Sequence, residues 1–161
     1  MGKSIFYKLF RLGRFPKAMV PILESEGIVL RDQGVSGSVT FRKFRAPGKI
    51  YSHRKSGFVG SVVITELRFA AFAFSKPLVN LPLDKEKLAL LDLSVPKRNQ
   101  LLVKFNAGDF HEGWKGALEC RFSTELADMF LERLKSLKSS GKHMDHDMIP
   151  FFGSGPWALD S

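Results

Sequence analysis

Hydrophobic and polar positions change their period along this chain. From Lys3 to Pro16, Ile5, Phe6, Leu9, Phe10 and Leu12 recur at helical spacing, with Lys3, Lys8, Arg11 and Arg14 mostly on the other face. This predicts a short basic amphipathic helix, stopped near Gly13 and Pro16. Pro16 to Pro21 reads as a connection. From Gly27 the pattern becomes strand-like: Gly27 to Arg31 is short and apolar, Gly34 and Gly37 punctuate, and Ser38 to Arg45 follows. In that last run Val39 and Phe41 share one face and Phe44 falls on the other, which predicts a bulge or strong bend. Ala46-Pro47-Gly48 reads as a turn.

Lys49 to Lys55 reads as the returning strand, and Ser56-Gly57 as another turn. Phe58 to Thr65 is rich in β-branched residues and Leu67 to Phe74 is apolar and aromatic, as in central strands. Pro77 to Leu83 is Pro-bounded and predicts an edge strand. Lys87 to Val95, Leu101 to Asn106 and Ala117 to Phe122 are further strands, separated by a polar loop at Pro96 to Asn99 and a longer loop at Gly108 to Gly116. The period then returns to helical: Leu126, Phe130, Leu134 and Leu137 form one stripe, with Ser123 or Thr124 as the cap. Gly141 can stop this helix. The expected organisation is a basic amphipathic segment (1–21), a mainly β domain with its C-terminal helix (27–138) and an irregular tail (139–161). Many strands followed by one helix disfavour a parallel α/β fold and fit an antiparallel bent sheet.

Gly57 to Phe69, followed by the apolar run Ala70 to Phe74, resembles the central hairpin of GRAM-type and bacterial pleckstrin-homology-like domains. There a strand ends in Thr, a polar turn residue and Arg before an apolar strand begins; Thr65, Glu66 and Arg68 hold those places here. The resemblance spans roughly Gly27 to Lys138. It implies a seven-stranded bent barrel capped by the C-terminal helix, and a non-catalytic module that binds phosphoinositides or protein segments. The basic-x-Arg step that inositide-binding members carry on the second strand is missing.

Charge sharpens this picture. The net charge is +9. Residues 1–76 hold 14 Lys/Arg against 4 Asp/Glu, whereas residues 77–161 hold 11 against 12. The excess therefore lies in the first half and points to an anionic partner. Arg42, Lys43, Arg45, Lys49, Arg54 and Lys55, interleaved with Phe44, Tyr51 and His53, are the candidate anion- or lipid-binding residues. Lys3, Phe6, Lys8, Phe10, Arg11 and Arg14 are candidates for membrane contact, unless the apolar face of their helix packs on the domain. The expected partner is an anionic phospholipid surface or an acidic protein. Single-stranded nucleic acid, with bases on Tyr51 or Phe44, is the poorer fit. A solubilising charged hairpin without a ligand accounts for the same residues.

Little in the sequence suggests catalysis. Asp109, His111 and Glu112 share a loop with Trp114, but no nucleophile stands at a recognisable spacing. His143 to Asp147 offers two His and two Asp as potential divalent-metal ligands, in the tail. Cys120 is the only cysteine, so no internal disulfide can form, and it reads as a small core residue. No phosphate-binding loop, nucleophile elbow or zinc-protease motif is present. No cofactor is expected, no run reaches the length of a membrane span, and Lys8, Arg11 and Arg14 break up any secretory leader. The expected location is cytoplasmic, peripheral to a membrane.

Overall fold

Strand-forming residues between Gly27 and Ser123 build one antiparallel sheet in a computed structural model of the chain, which describes residues 13–140. Its strands are β1 (Ile28–Ala46), β2 (Lys49–Thr65), β3 (Arg68–Ala73), β4 (Lys76–Pro82), β5 (Asp92–Lys97), β6 (Gln100–Asn106) and β7 (Lys115–Ser123). Their lateral order is β4-β3-β2-β1-β7-β6-β5. The helices are α1 (Val20–Glu26), α2 (Lys85–Leu88) and α3 (Ala127–Ser140). Most of the expected amphipathic segment, including Lys3, Phe6, Lys8, Phe10 and Arg11, lies outside the described residues, as does the tail with His143 and Asp147.

Several expected breaks do not occur. Gly27–Arg31 and Ser38–Arg45 belong to one 19-residue strand, and Lys49–Lys55 continues through Ser56-Gly57 into Phe58–Thr65 as one 17-residue strand. The glycines mark irregular register and close packing rather than turns: the β1–β2 register slips between Gln33 and Val35, around Gly34. The supposed connection before Gly27 contains the start of α1, whose first turn accommodates Pro21. The expected strand Lys87–Val95 begins as helix α2, because Asp84 caps it by accepting the Glu86 N–H at 3.1 Å. The polar loop shrinks to Arg98–Asn99, since β5 runs on to Lys97. The turn at Pro47-Gly48, the edge position of β4 and the Thr124 cap hold: Thr124 Oγ accepts the Leu126 N–H at 3.1 Å and donates to Asp32 Oδ2 at 2.7 Å.

The sheet curls around one core. In a flat sheet β4 and β5 would lie about 29 Å apart, at ~4.8 Å per strand. Yet Leu78, Val79 and Leu81 of β4 share a single buried cluster with Leu93 of β5 and with Ala127, Phe130 and Leu134 of α3. No ladder joins β4 to β5, so the sheet keeps two open edges among the described residues. Both carry prolines, Pro77 and Pro82 on one and Pro96 on the other, which discourages further pairing.

A second, smaller core covers the outside of the β2–β3 half. Phe15, Met19 and Leu23 pack there on Val63, Ala70 and Phe72. A buried ion pair fixes this layer. Arg68 Nε donates to both Glu26 oxygens at 2.8 and 2.9 Å, and its Nη2 donates to Oε2 at 2.6 Å. Arg68 Nη1 also donates to Asn80 Oδ1 at 3.1 Å, and Thr65 Oγ donates to Glu26 Oε1 at 2.8 Å. The Arg68 side chain is fully buried. Thr65 Oγ meanwhile accepts the N–H groups of Leu67 and Arg68, closing the β2–β3 turn. The Thr-x-x-Arg step that carries the family resemblance is thus a structural clamp.

Removing one partner of such a pair strands a buried charge. Arg68→Ala is expected to lower the unfolding free energy by about 3–5 kcal/mol. The double change Arg68→Met with Glu26→Gln should recover much of that loss. Urea unfolding of the variants checks this; a double variant no better than the single one would contradict it.

Candidate functional site

The predicted bulge at Phe44 is the device that shapes the basic hairpin. Lys43 adopts a left-handed backbone conformation, with φ of 49°. The β1–β7 register shifts by one residue between Arg42 and Arg45, opposite Gly116. Phe41 and Phe44 therefore both turn into the core, where their rings meet edge-to-face at 5.1 Å. Tyr51 stacks on Phe44 at 5.9 Å and Trp114 meets it edge-on at 5.9 Å. This aromatic group stiffens the end of the β1–β2 hairpin from beneath, while Arg42, Lys43 and Arg45 remain exposed.

The six candidate cations divide into three sets. Arg42 and Lys43 line a surface groove of about 700 Å³ with Ser52, His53, Trp114 and Lys115. Arg45 and Lys49 line its neighbour at the hairpin tip, about 760 Å³, with Pro47, Gly48 and Ile50. Arg54 and Lys55 stand further along β2. Arg54 lies over the Tyr51 ring at 4.9 Å. Of the expected membrane-contact residues only Arg14 is described, and it is exposed beside the small core.

Strand register brings in residues that the local pattern did not mark. Lys55, Thr40, Glu119 and Lys104 form one row across β2, β1, β7 and β6. His53, Arg42, Ala117 and Asn106 form the next, and directly opposed residues share a face. Glu119 is the acid at the centre. Its carboxylate meets Arg42 Nε at 3.2 Å, Arg121 Nη1 at 3.2 Å and Lys104 Nζ at 3.8 Å. Burial alone would raise its pKa, but hydrogen bonds from Arg42 and Arg121 outweigh this and hold it below the ordinary glutamate range. One carboxylate shared by three cations leaves this face positive.

His111 stacks on Trp114 at 4.5 Å, and burial lowers its pKa below the ordinary histidine value. Among the described residues no group of three or more His, Cys, Asp or Glu could hold a metal ion. Cys120 is fully buried on β7, and burial pushes its thiol up to about 12. No helix among the described residues is long and apolar enough to cross a membrane.

No family model matches the chain, and no curated protein matches it.

The Glu119 cluster sets a pH dependence. Its folded pKa is depressed, so its contribution is present above the unfolded glutamate pKa and is lost as pH falls through the folded value. Glu119→Gln should therefore flatten the acid limb of a stability-versus-pH profile, measured by thermal melts; an unchanged limb would contradict it. Cys120 gives a separate check. The thiolate is the reactive form, so iodoacetamide should label the folded protein only as fast as it unfolds, and rapid labelling of native protein would refute the burial.

Proposed function

We propose that this domain is a non-catalytic binding module that engages an anionic membrane surface through the end of its β1–β2 hairpin. The observation that carries the reading is the convergence of Arg42, Lys43 and Lys115 on one groove, with Arg45 and Lys49 in the groove beside it. A cation close to an anionic bilayer contributes about 1 kcal/mol. Several acting together on a stiff hairpin support useful affinity without ordering a flexible loop.

The order of seven strands followed by a helix, with one curled core, supports a pleckstrin-homology-like bent barrel as the architecture. The fold by itself assigns no ligand; the charge distribution is what supports an anionic one. Glu119 restrains the affinity, because it engages Arg42 and Arg121. A peripheral, cytoplasmic location belongs to the same proposal.

Co-sedimentation with phosphatidylserine-containing and neutral phosphatidylcholine vesicles tests the reading. The protein should pellet with the former only, less so as salt screens the attraction. Changing Arg42, Lys43 and Lys115 together to Ala should weaken binding about a hundredfold. Binding that ignores lipid charge, or a triple variant that binds like the wild type, would refute the proposal.

A further inference from the structure

Four large hydrophobic side chains stand exposed among the described residues: Val29, Ile50, Phe74 and Met129. Ile50 is the most exposed of them at 70%, against 42% for Phe74 and 51% for Met129. It sits two residues after Gly48, at the extremity of the β1–β2 hairpin. Arg45 is its direct cross-strand partner, and Lys49 precedes it in the chain. Pro47 adds a second apolar group to the same groove.

Nothing in the fold demands an isoleucine there. The core beneath is filled by Phe41, Phe44 and Tyr51, and the β1–β2 register stays constant from Val35 to the last pair, Ala46 with Lys49. At 70% exposure the Ile50 side chain points away from the domain. Its surroundings narrow the choice of occupant. A second copy would set Arg45 and Lys49 against their own kind. A bilayer boundary offers what this tip can use at once: acyl chain for Ile50 and Pro47, and headgroup phosphates for the cations around them.

We propose that Ile50 is a membrane-inserting residue, which enters the lipid boundary while Arg45 and Lys49 meet the headgroups. This rests on the reading of the hairpin end as the membrane-facing surface. It adds an apolar contribution that salt does not screen, and it fixes the hairpin tip as the first part of the domain to enter the bilayer.

The test is made on the full chain with phosphatidylserine-containing vesicles. Ile50→Ala should weaken binding about tenfold, equivalent to withdrawing roughly two methylene groups from lipid. The salt dependence should keep its slope, because no charge is lost. Met129→Ala, an exposed change on α3, should bind as the wild type does. In Ile50→Trp, fluorescence should shift to the blue on vesicle addition and be quenched by lipids brominated along their acyl chains. Unchanged thermal melts for these variants exclude a folding defect. If the wild type fails to bind anionic vesicles, the membrane reading falls and this inference falls with it. If the wild type binds while Ile50→Ala binds equally and the Ile50→Trp fluorescence is not quenched, the insertion is refuted and the electrostatic reading stands.

Discussion

The one-residue shift between β1 and β7 is the constraint from which the candidate surface follows. β1 serves two ladders over its second half, with β2 on one side and β7 on the other. Regular alternation would send Phe41 and Phe44 to opposite faces. The left-handed step at Lys43 brings both inward and leaves Arg42, Lys43 and Arg45 on the surface. Gly116 makes the step possible. A β-carbon there would stand 2.6 Å from the Lys43 carbonyl oxygen and from the Phe44 Cα, and its own φ is +106°. A single backbone accommodation thus builds the aromatic support and sets the cations above it.

The rest of the molecule holds that hairpin steady. The sheet curls until its outermost strands share a core with α3, so the base of β1 and β2 is fixed on the inside. The segment leading into α1 fixes the outside, with Phe15 against Phe72 at 6.1 Å and the Glu26–Arg68 pair at its end. Buried ion pairs contribute less net stability than their geometry suggests, because both charges give up water. Their value here is positional: α1 has one place on the sheet where Glu26 can satisfy both Arg68 and Thr65. Glu119 plays a looser version of this part on the opposite half, binding its neighbours' charge without cancelling it.

Much of this was legible in the residues, but unevenly. The phase slip at Phe44 was visible because burial of Val39, Phe41 and Phe44 cannot be reconciled with strict alternation. The C-terminal helix showed through its stripe and its Thr124 cap. The glycines misled. Gly37 looked like a break, yet it lies inside β1, where a β-carbon would collide with the Arg121 carbonyl and the Phe58 ring. Helices α1 and α2 are too short for periodicity to reveal. α1 is held by contacts with Val63, Ala70 and Phe72, which are distant in sequence. The hairpin cations were legible as a run, but their division into sets was not. Nor were Lys115, Glu119 and Arg121, since only the β1–β7 register sets them opposite Arg45, Thr40 and Ser38.

The central claim is that one end of the β1–β2 hairpin, backed by β7, faces an anionic bilayer. Residue-resolved NMR with bicelles carrying a paramagnetic headgroup lipid addresses it most directly. Signal loss should concentrate on Arg42 to His53 and on Lys115, while the amides of α3 keep their intensity. Broadening centred on α3 or on β4, or spread evenly over the domain, would contradict the account.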